Sequence, residues 1–210
     1  MITINCYHVG PLITNCYLLT DSKTQDSLII DPGGISRDLD KKINEIGPGK
    51  VKYIVLTHGH FDHIRKVARY KKLTKAKVVA NSAELPMIND EEINLSKRYT
   101  SGIDKFEVEM PLDNNDEFYL GENLVRMLAT PGHTKGSACF LVEGDIFSGD
   151  TIMKDCIGRT DLATGSEKDM MESLKRLKNF TKDYTIYPGH GEKTSLQYEK
   201  ANNPFFKLEM

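Results

Sequence analysis

The sequence predicts an α/β protein on three observations. Short β-favouring runs end repeatedly in a glycine, proline or aspartate, helical stripes of apolar residues fill the gaps between them, and ligand-type side chains follow the strand-like runs. The first run, Tyr53-Ile54-Val55-Leu56, is closed by Thr57-His58-Gly59-His60-Phe61-Asp62-His63. Residues 124–129 read as a strand leading into Thr130-Pro131-Gly132-His133-Thr134. Residues 138–142 and 145–147 read as a hairpin ending in Ser148-Gly149-Asp150, and Thr185-Ile186-Tyr187 leads into Pro188-Gly189-His190-Gly191. Among the helices, Ile35, Leu39, Ile43 and Ile46 recur at helical spacing, with Ser36 near the start and Gly47-Pro48 as a stop. A second helix is predicted over 64–73. A third is predicted over 167–179, where Ser166 and Asp169 form a capping box and Met170, Leu174 and Leu177 a buried stripe. Residues 81–102 are polar and least periodic, and are predicted to form loops beside the site.

Composition bounds the function. An apolar content of 39% with 28% charged residues is that of a soluble globular protein, and a chain of 210 residues can bury a core without disulfides. The net charge of −2 gives no bulk attraction to nucleic acid or to membranes. No run approaches membrane-spanning length, and no basic segment followed by a long apolar stretch opens the chain. Cys6, Cys16, Cys139 and Cys156 are scattered without Cys-x-x-Cys spacing, and most are expected to be buried thiols. The lysines at 71, 72, 75 and 77 read as a solvated face, and His8, outside every motif, as structural or surface. A single cytoplasmic domain over 1–210 is expected, with no internal repeat or linker.

The histidines carry the chemistry. Residues 58–63 hold three imidazoles and a carboxylate, and imidazole is costly to bury unless something is bound to it. His58 and His60 are two apart, the period that puts side chains on one side of an extended chain. Asp62 and His63 are adjacent, so they diverge unless the backbone turns between them. Two groups of ligands are therefore expected, and imidazole with carboxylate suits zinc, iron or manganese. His133, Asp150 and His190 raise the candidates to seven, more than one metal can use. One bridging carboxylate resolves the count, and Asp150 stands alone in its motif.

These four motifs, in this order, resemble the metallo-β-lactamase superfamily, and within it the short glyoxalase II-like hydrolases, thioesterases acting on hydroxyacyl-glutathione. Asn15-Cys16-Tyr17-Leu18, Asp31-Pro32-Gly33-Gly34, Gly158-Arg159-Thr160-Asp161-Leu162 and Asn203-Pro204-Phe205 extend the likeness over nearly the whole chain. The resemblance implies a four-layer αββα sandwich of two mixed β-sheets flanked by helices. It implies two Zn2+ per chain, with Fe or Mn as substitutes: the first on His58, His60 and His133, the second on Asp62, His63 and His190, with Asp150 joining them. Asp31 resembles the family's carboxylate that orients a ligand histidine, although Asp-Pro-Gly is turn chemistry without any metal.

The reaction expected is cleavage of an activated acyl bond by a bridging hydroxide, because two neighbouring cations acidify a shared water. Asp62 is the catalytic residue expected to accept or orient its proton, and the partner is a small-molecule acyl thioester. Arg159 is the candidate substrate contact, a fork suited to a carboxylate, or else one half of a surface pair with Asp161. The longer glyoxalase II enzymes add a C-terminal helical region with basic glutathione contacts, which is expected to be missing after Phe206. They also place an aromatic residue where this chain has Asp161, and a carboxylate there repels an anionic thiol carrier. Rival readings are a persulfide dioxygenase with one iron on His58, His133 and Asp150, a lactone or lactam hydrolase on the same site, and a metal-stabilised scaffold without catalysis. Nucleic-acid phosphodiesterases of this fold need a basic arm not found here. The flavin-linked di-iron oxygen reductases put Glu at the position of His60.

Overall fold

The structure, a computed structural model, describes residues 1–208; Glu209 and Met210, the last two residues of the expected domain, lie outside them. The chain opens with β1 (Ile2–Val9), β2 (Thr14–Asp21) and β3 (Ser27–Ile30), paired antiparallel. β4 (Val51–Val55), β5 (Lys77–Asn81) and β6 (Met110–Leu112) then add in parallel, completing a six-stranded sheet in sequence order. Parallel neighbours need crossovers. These are α1 (Arg37–Ile46), then α2 (Phe61–Ile64) with α3 (Val67–Thr74), then a long connection holding α4 (Leu85–Ile88) and α5 (Ser96–Tyr99).

The second sheet collects β7 (Glu117–Leu120), β8 (Asn123–Ala129), β9 (Ala138–Val142), β10 (Asp145–Gly149), β11 (Thr185–Pro188) and β12 (Thr194–Ser195), in the order β12-β11-β10-β9-β8-β7. Only β10 and β11 run parallel, and α6 (Glu167–Lys178) makes that crossover. α7 (Leu196–Asn202) and α8 (Pro204–Lys207) follow. No helix among the described residues is long and apolar enough to cross a membrane.

Strand periodicity sorts the side chains into layers. In β2, Tyr17 and Leu19 face the second sheet while Cys16 and Leu18 pack under α1 and α3. In β9, Ala138, Phe140 and Val142 face the first sheet while Cys139 and Leu141 pack with Met170, Leu174 and Leu177 of α6. Three cores result: one between the sheets and one under each helical layer. This is the αββα sandwich of two mixed sheets.

Several predicted elements shift at their edges. α1 begins at Arg37, because the Ser36 hydroxyl caps the Leu39 N–H at 3.3 Å; Ile35 is left 56% exposed, outside the buried stripe. Over 64–73 the chain makes two helices, not one. α2 starts earlier, at Phe61, and the Lys66 N–H leaves the helical ladder to donate to Pro32 O at 3.0 Å. α6 keeps its predicted cap, with the Ser166 hydroxyl accepting from the Asp169 N–H. Among the cysteines, only Cys16 and Cys139 are buried; Cys6 and Cys156 are exposed, since both lie where the chain runs along an edge or a loop.

Phe140 fills the space between the sheets and is 1% exposed. Phe140→Ala is expected to cost about 3–5 kcal/mol of unfolding free energy, read as a lower urea midpoint at unchanged slope.

Candidate metal centre

Five of the seven ligand candidates sit where a strand ends, and all of these ends share one rim. His58 and His60 follow β4, His133 follows β8, Asp150 follows β10 and His190 follows β11. Asp62 and His63 lie in α2, whose single turn is the bend that adjacent ligands need. The rims of the two sheets are tied across the gap: the Ala138 N–H donates to Thr57 O at 2.9 Å, and the Asn15 N–H to Gly189 O at 2.7 Å.

Two ligand groups emerge from the coordinates. His58, His60 and His133 offer atoms within 4.8 Å of one another, as do Asp62, His63 and His190; a third grouping joins His58, His63 and Asp150. Asp150 lies between the first two. Its Oδ2 is 3.5 Å from His133 Nε2 and 3.7 Å from His190 Nε2, and its Oδ1 is 3.6 Å from His63 Nε2. The structure thus brings together all seven residues singled out in the sequence.

The imidazoles are oriented from behind. His63 Nδ1–H donates to Asp31 Oδ2 at 2.9 Å, His133 Nδ1–H to Arg159 O at 2.7 Å and His190 Nδ1–H to Leu12 O at 3.2 Å. His58 Nδ1 meets the Thr57 hydroxyl at 3.1 Å, and that hydroxyl donates to Asp31 Oδ2. Each of these rings therefore turns its Nε2 lone pair inward, the form a metal requires. His60 is reversed, with Nδ1 2.9 Å from His133 Nε2. Asp31 itself sits at φ +51°, a left-handed turn that Asp tolerates, and aims both oxygens at Thr57 and His63. It is at once a turn former and an orienting carboxylate.

The donor set fits cations. His58 Nε2 and Asp150 Oδ1 are buried without a hydrogen-bond partner among the described residues, an arrangement that costs about 1–3 kcal/mol per group unless something binds there. Gly189 completes the cradle: a Cβ there would fall 2.2 Å from Asp150 Oδ1. Electrostatics agree. Burial, reinforced by the surrounding imidazoles, pushes His58 well below the usual histidine range and His60 down to about 3, so both are neutral donors. Burial would raise the Asp62 carboxyl, but His63 and His190 outweigh it and hold it anionic. Burial would likewise lower His63, yet Asp62, Asp150 and Asp31 overcome it and push it up to about 10, so a proton sits on its inward nitrogen until a cation displaces it.

Beside the ligands lies a cavity of about 260 Å³, with Leu12, Phe61, Leu95, Tyr99 and Leu162 forming its apolar side. Tyr99 stacks on Phe61, with ring centroids 5.4 Å apart. Arg159 also borders the cavity, but its Nε and a terminal nitrogen donate to the two oxygens of Asp161 at 2.7 and 2.8 Å. Its fork is occupied within the chain, as the surface-pair reading expects. His8 is exposed and shares a 2.9 Å hydrogen bond with the Asn15 amide oxygen.

A model of the metallo-beta-lactamase superfamily matches residues 9–190. The chain belongs to that superfamily. Its relatives include an uncharacterized protein of Aquifex aeolicus, 32% identical over 94% of this chain and 93% of its own length. A probable polyketide biosynthesis zinc-dependent hydrolase of Bacillus velezensis, BaeB, is 27% identical over 92% of this chain and 82% of its own. Among solved structures, the BLEG-1 B3 metallo-beta-lactamase superposes with a TM-score of 0.86 at 29% identity, covering 97% of this chain and 99% of that one. TTHA1623 in a di-iron-bound form superposes with a TM-score of 0.82 at 29% identity, covering 96% and 99%. Membership places the chain among metal-dependent hydrolases, with the His/Asp cluster as its metal-site candidate.

Four contributors were given no role at the site from the sequence. The Thr14 hydroxyl donates to Asp62 Oδ2 at 3.0 Å, the Asn15 amide donates to Pro188 O and Gly191 O, and the Tyr17 hydroxyl donates to Pro188 O at 2.6 Å. Together the last two hold the His190 turn. The fourth, Glu84, accepts from backbone N–H groups on the His58 and His133 turns. For Asn15 and Tyr17 the signal present in the sequence is the Asn15-Cys16-Tyr17-Leu18 segment and its likeness to the family's early strand; Thr14 and Glu84 carry none.

Asp31→Asn keeps the turn but sets an amide against one of the donors. It is expected to weaken cation binding at the Asp62–His63–His190 group by about 10- to 100-fold in a chelator competition, with the fold retained.

Proposed function

We propose that the chain is a dinuclear metal-dependent hydrolase of activated acyl bonds, thioesters foremost, carried by a single domain over 1–210. The observation that supports it most is the pair of three-residue ligand groups meeting at Asp150. His58, His60 and His133 would hold one cation, Asp62, His63 and His190 the other, and Asp150 would serve both. Two cations bound there supply an acidified water as nucleophile and a positive charge to polarise the scissile carbonyl. Zinc is the first choice for an imidazole and carboxylate set. Iron is the alternative, in keeping with the di-iron form of TTHA1623.

The chain's own residues do the rest. Asp62 faces the cavity as an anion steadied by Thr14 and His190; a carboxyl held well below its usual range is a weak base, so its role is to orient the attacking water by accepting a hydrogen bond from it. Leu12, Phe61, Leu95, Tyr99 and Leu162 give an acyl group an apolar wall and keep bulk water from it. Arg159, paired with Asp161, leaves no free fork for an anionic carrier, which favours an uncharged thioester over a glutathione conjugate. Cyclic amide cleavage is the second reading, favoured by the likeness to BLEG-1. A single iron on His58, His133 and Asp150 would leave Asp62, His63 and His190 without a task.

The decisive experiment joins elemental analysis of purified protein to a substrate panel containing uncharged acyl thioesters, S-lactoylglutathione and a β-lactam. Two metals per chain with thiol release is the expected result; one iron with oxygen uptake, or no hydrolysis of any acyl bond, defeats the proposal. Asp62→Ala and His133→Ala are each expected to abolish turnover while circular dichroism stays that of the wild type. Asp161→Ala frees Arg159 and is expected to raise kcat/KM for a carboxylate-bearing thioester by up to about fivefold, the worth of an exposed ion pair, leaving uncharged substrates unaffected.

A further inference from the structure

One buried acid takes no part in the chemistry above. Glu84, in the turn before α4, is 1% exposed and forms no ion pair with a lysine or arginine among the described residues. Its Oε1 accepts from the Gly59 N–H at 2.7 Å and its Oε2 from the Gly136 N–H at 2.8 Å. Gly59 lies between His58 and His60, and Gly136 closes the turn that begins at His133. The two turns belong to different sheets, one following β4 and the other β8. A single carboxylate thus spans the gap that the first ligand group must also span.

The glycines are matched to it. A Cβ at Gly136 would lie 2.3 Å from Glu84 Oε2, and one at Gly59 would lie 3.2 Å from Oε1. Neither glycine has a left-handed backbone; Glu84 alone excludes a side chain at Gly136, and at Gly59 it leaves, with Met87, only a tight fit. A buried carboxylate without a cationic partner is costly. Its hydrogen bonds to both turns are the compensation the fold provides.

We propose that Glu84 is a positioning residue for the His58–His60–His133 group, clamping the two ligand-bearing turns at the separation a cation needs before any cation arrives. The inference rests on the two-cation reading. A carboxylate is suited to the task because both its oxygens accept and neither donates; an amide of the same shape would turn an NH2 group towards one of the two backbone N–H groups.

Zinc stoichiometry and affinity, measured by chelator competition on the full chain, test the clamp in wild type and Glu84→Gln. The variant is expected to lose affinity at one of its two zinc ions by about 10- to 100-fold, with the other unchanged. A purely structural role would lower the thermal midpoint of the zinc-free protein and leave both affinities as in the wild type, and that result overturns the proposal. Should Glu84→Gln fail to fold, amide exchange in the zinc-free wild type decides the matter: Gly59 and Gly136 are expected to be protected, and free exchange at either sinks the clamp. A wild type that binds no zinc or iron counts against the two-cation reading instead, and the exchange measurement still tests the clamp on its own.

Discussion

Unpaired lone pairs converging on one point are the constraint to which the rest of this molecule answers. Five imidazoles and two carboxylates meet on the rim shared by two facing sheets, with an inward nitrogen and an inward oxygen left without a hydrogen-bond partner among the described residues. Neutral rings alone do not relieve that crowding: burial keeps His58 and His60 neutral, while Asp62 stays anionic and draws protons onto His63 and His190. Positive charge from outside does relieve it. The groups behind the ligands, Asp31, the carbonyls of Arg159 and Leu12 and the Thr57 hydroxyl, hold the rings facing one another when nothing yet draws them together.

Holding such a site requires a scaffold whose two halves cannot slide. The interior between the sheets supplies it, with Tyr17, Phe118, Phe140 and Phe147 interleaved from both sides. Tyr17 serves twice, packing edge-on against Phe147 at 5.3 Å while its hydroxyl reaches the turn that carries His190. Burial and orientation are thereby joined in one residue. The helices take the outer faces and leave the rim open, which is why the ligands come almost wholly from loops at strand ends.

Much of this was legible in the sequence, and the limits have physical causes. The metal-ligand candidates are conspicuous because their histidines stand beside glycines in short motifs, and their strands announce themselves by apolar runs. The long amphipathic helices were legible through Ser36 and Ser166 and their stripes. What escaped is what depends on distant partners. Glu84 is one acid in a polar stretch, and its significance comes from main-chain groups 25 and 52 residues away. The break between α2 and α3 escaped because a carbonyl from the Pro32 turn, not any residue of the helix, takes the Lys66 N–H. β1 escaped because as an edge strand it alternates too weakly to stand out. Cys6 lies on that same edge, which accounts for its exposure.

Leu12 has a divided role. Its main-chain oxygen holds the ring of His190, while its side chain borders the cavity where a substrate would lie. The two duties fall on different atoms of one residue. Exchanging the side chain would therefore reshape the cavity wall while the carbonyl keeps its grip on the ring, so lining and ligand geometry can vary apart at this one position.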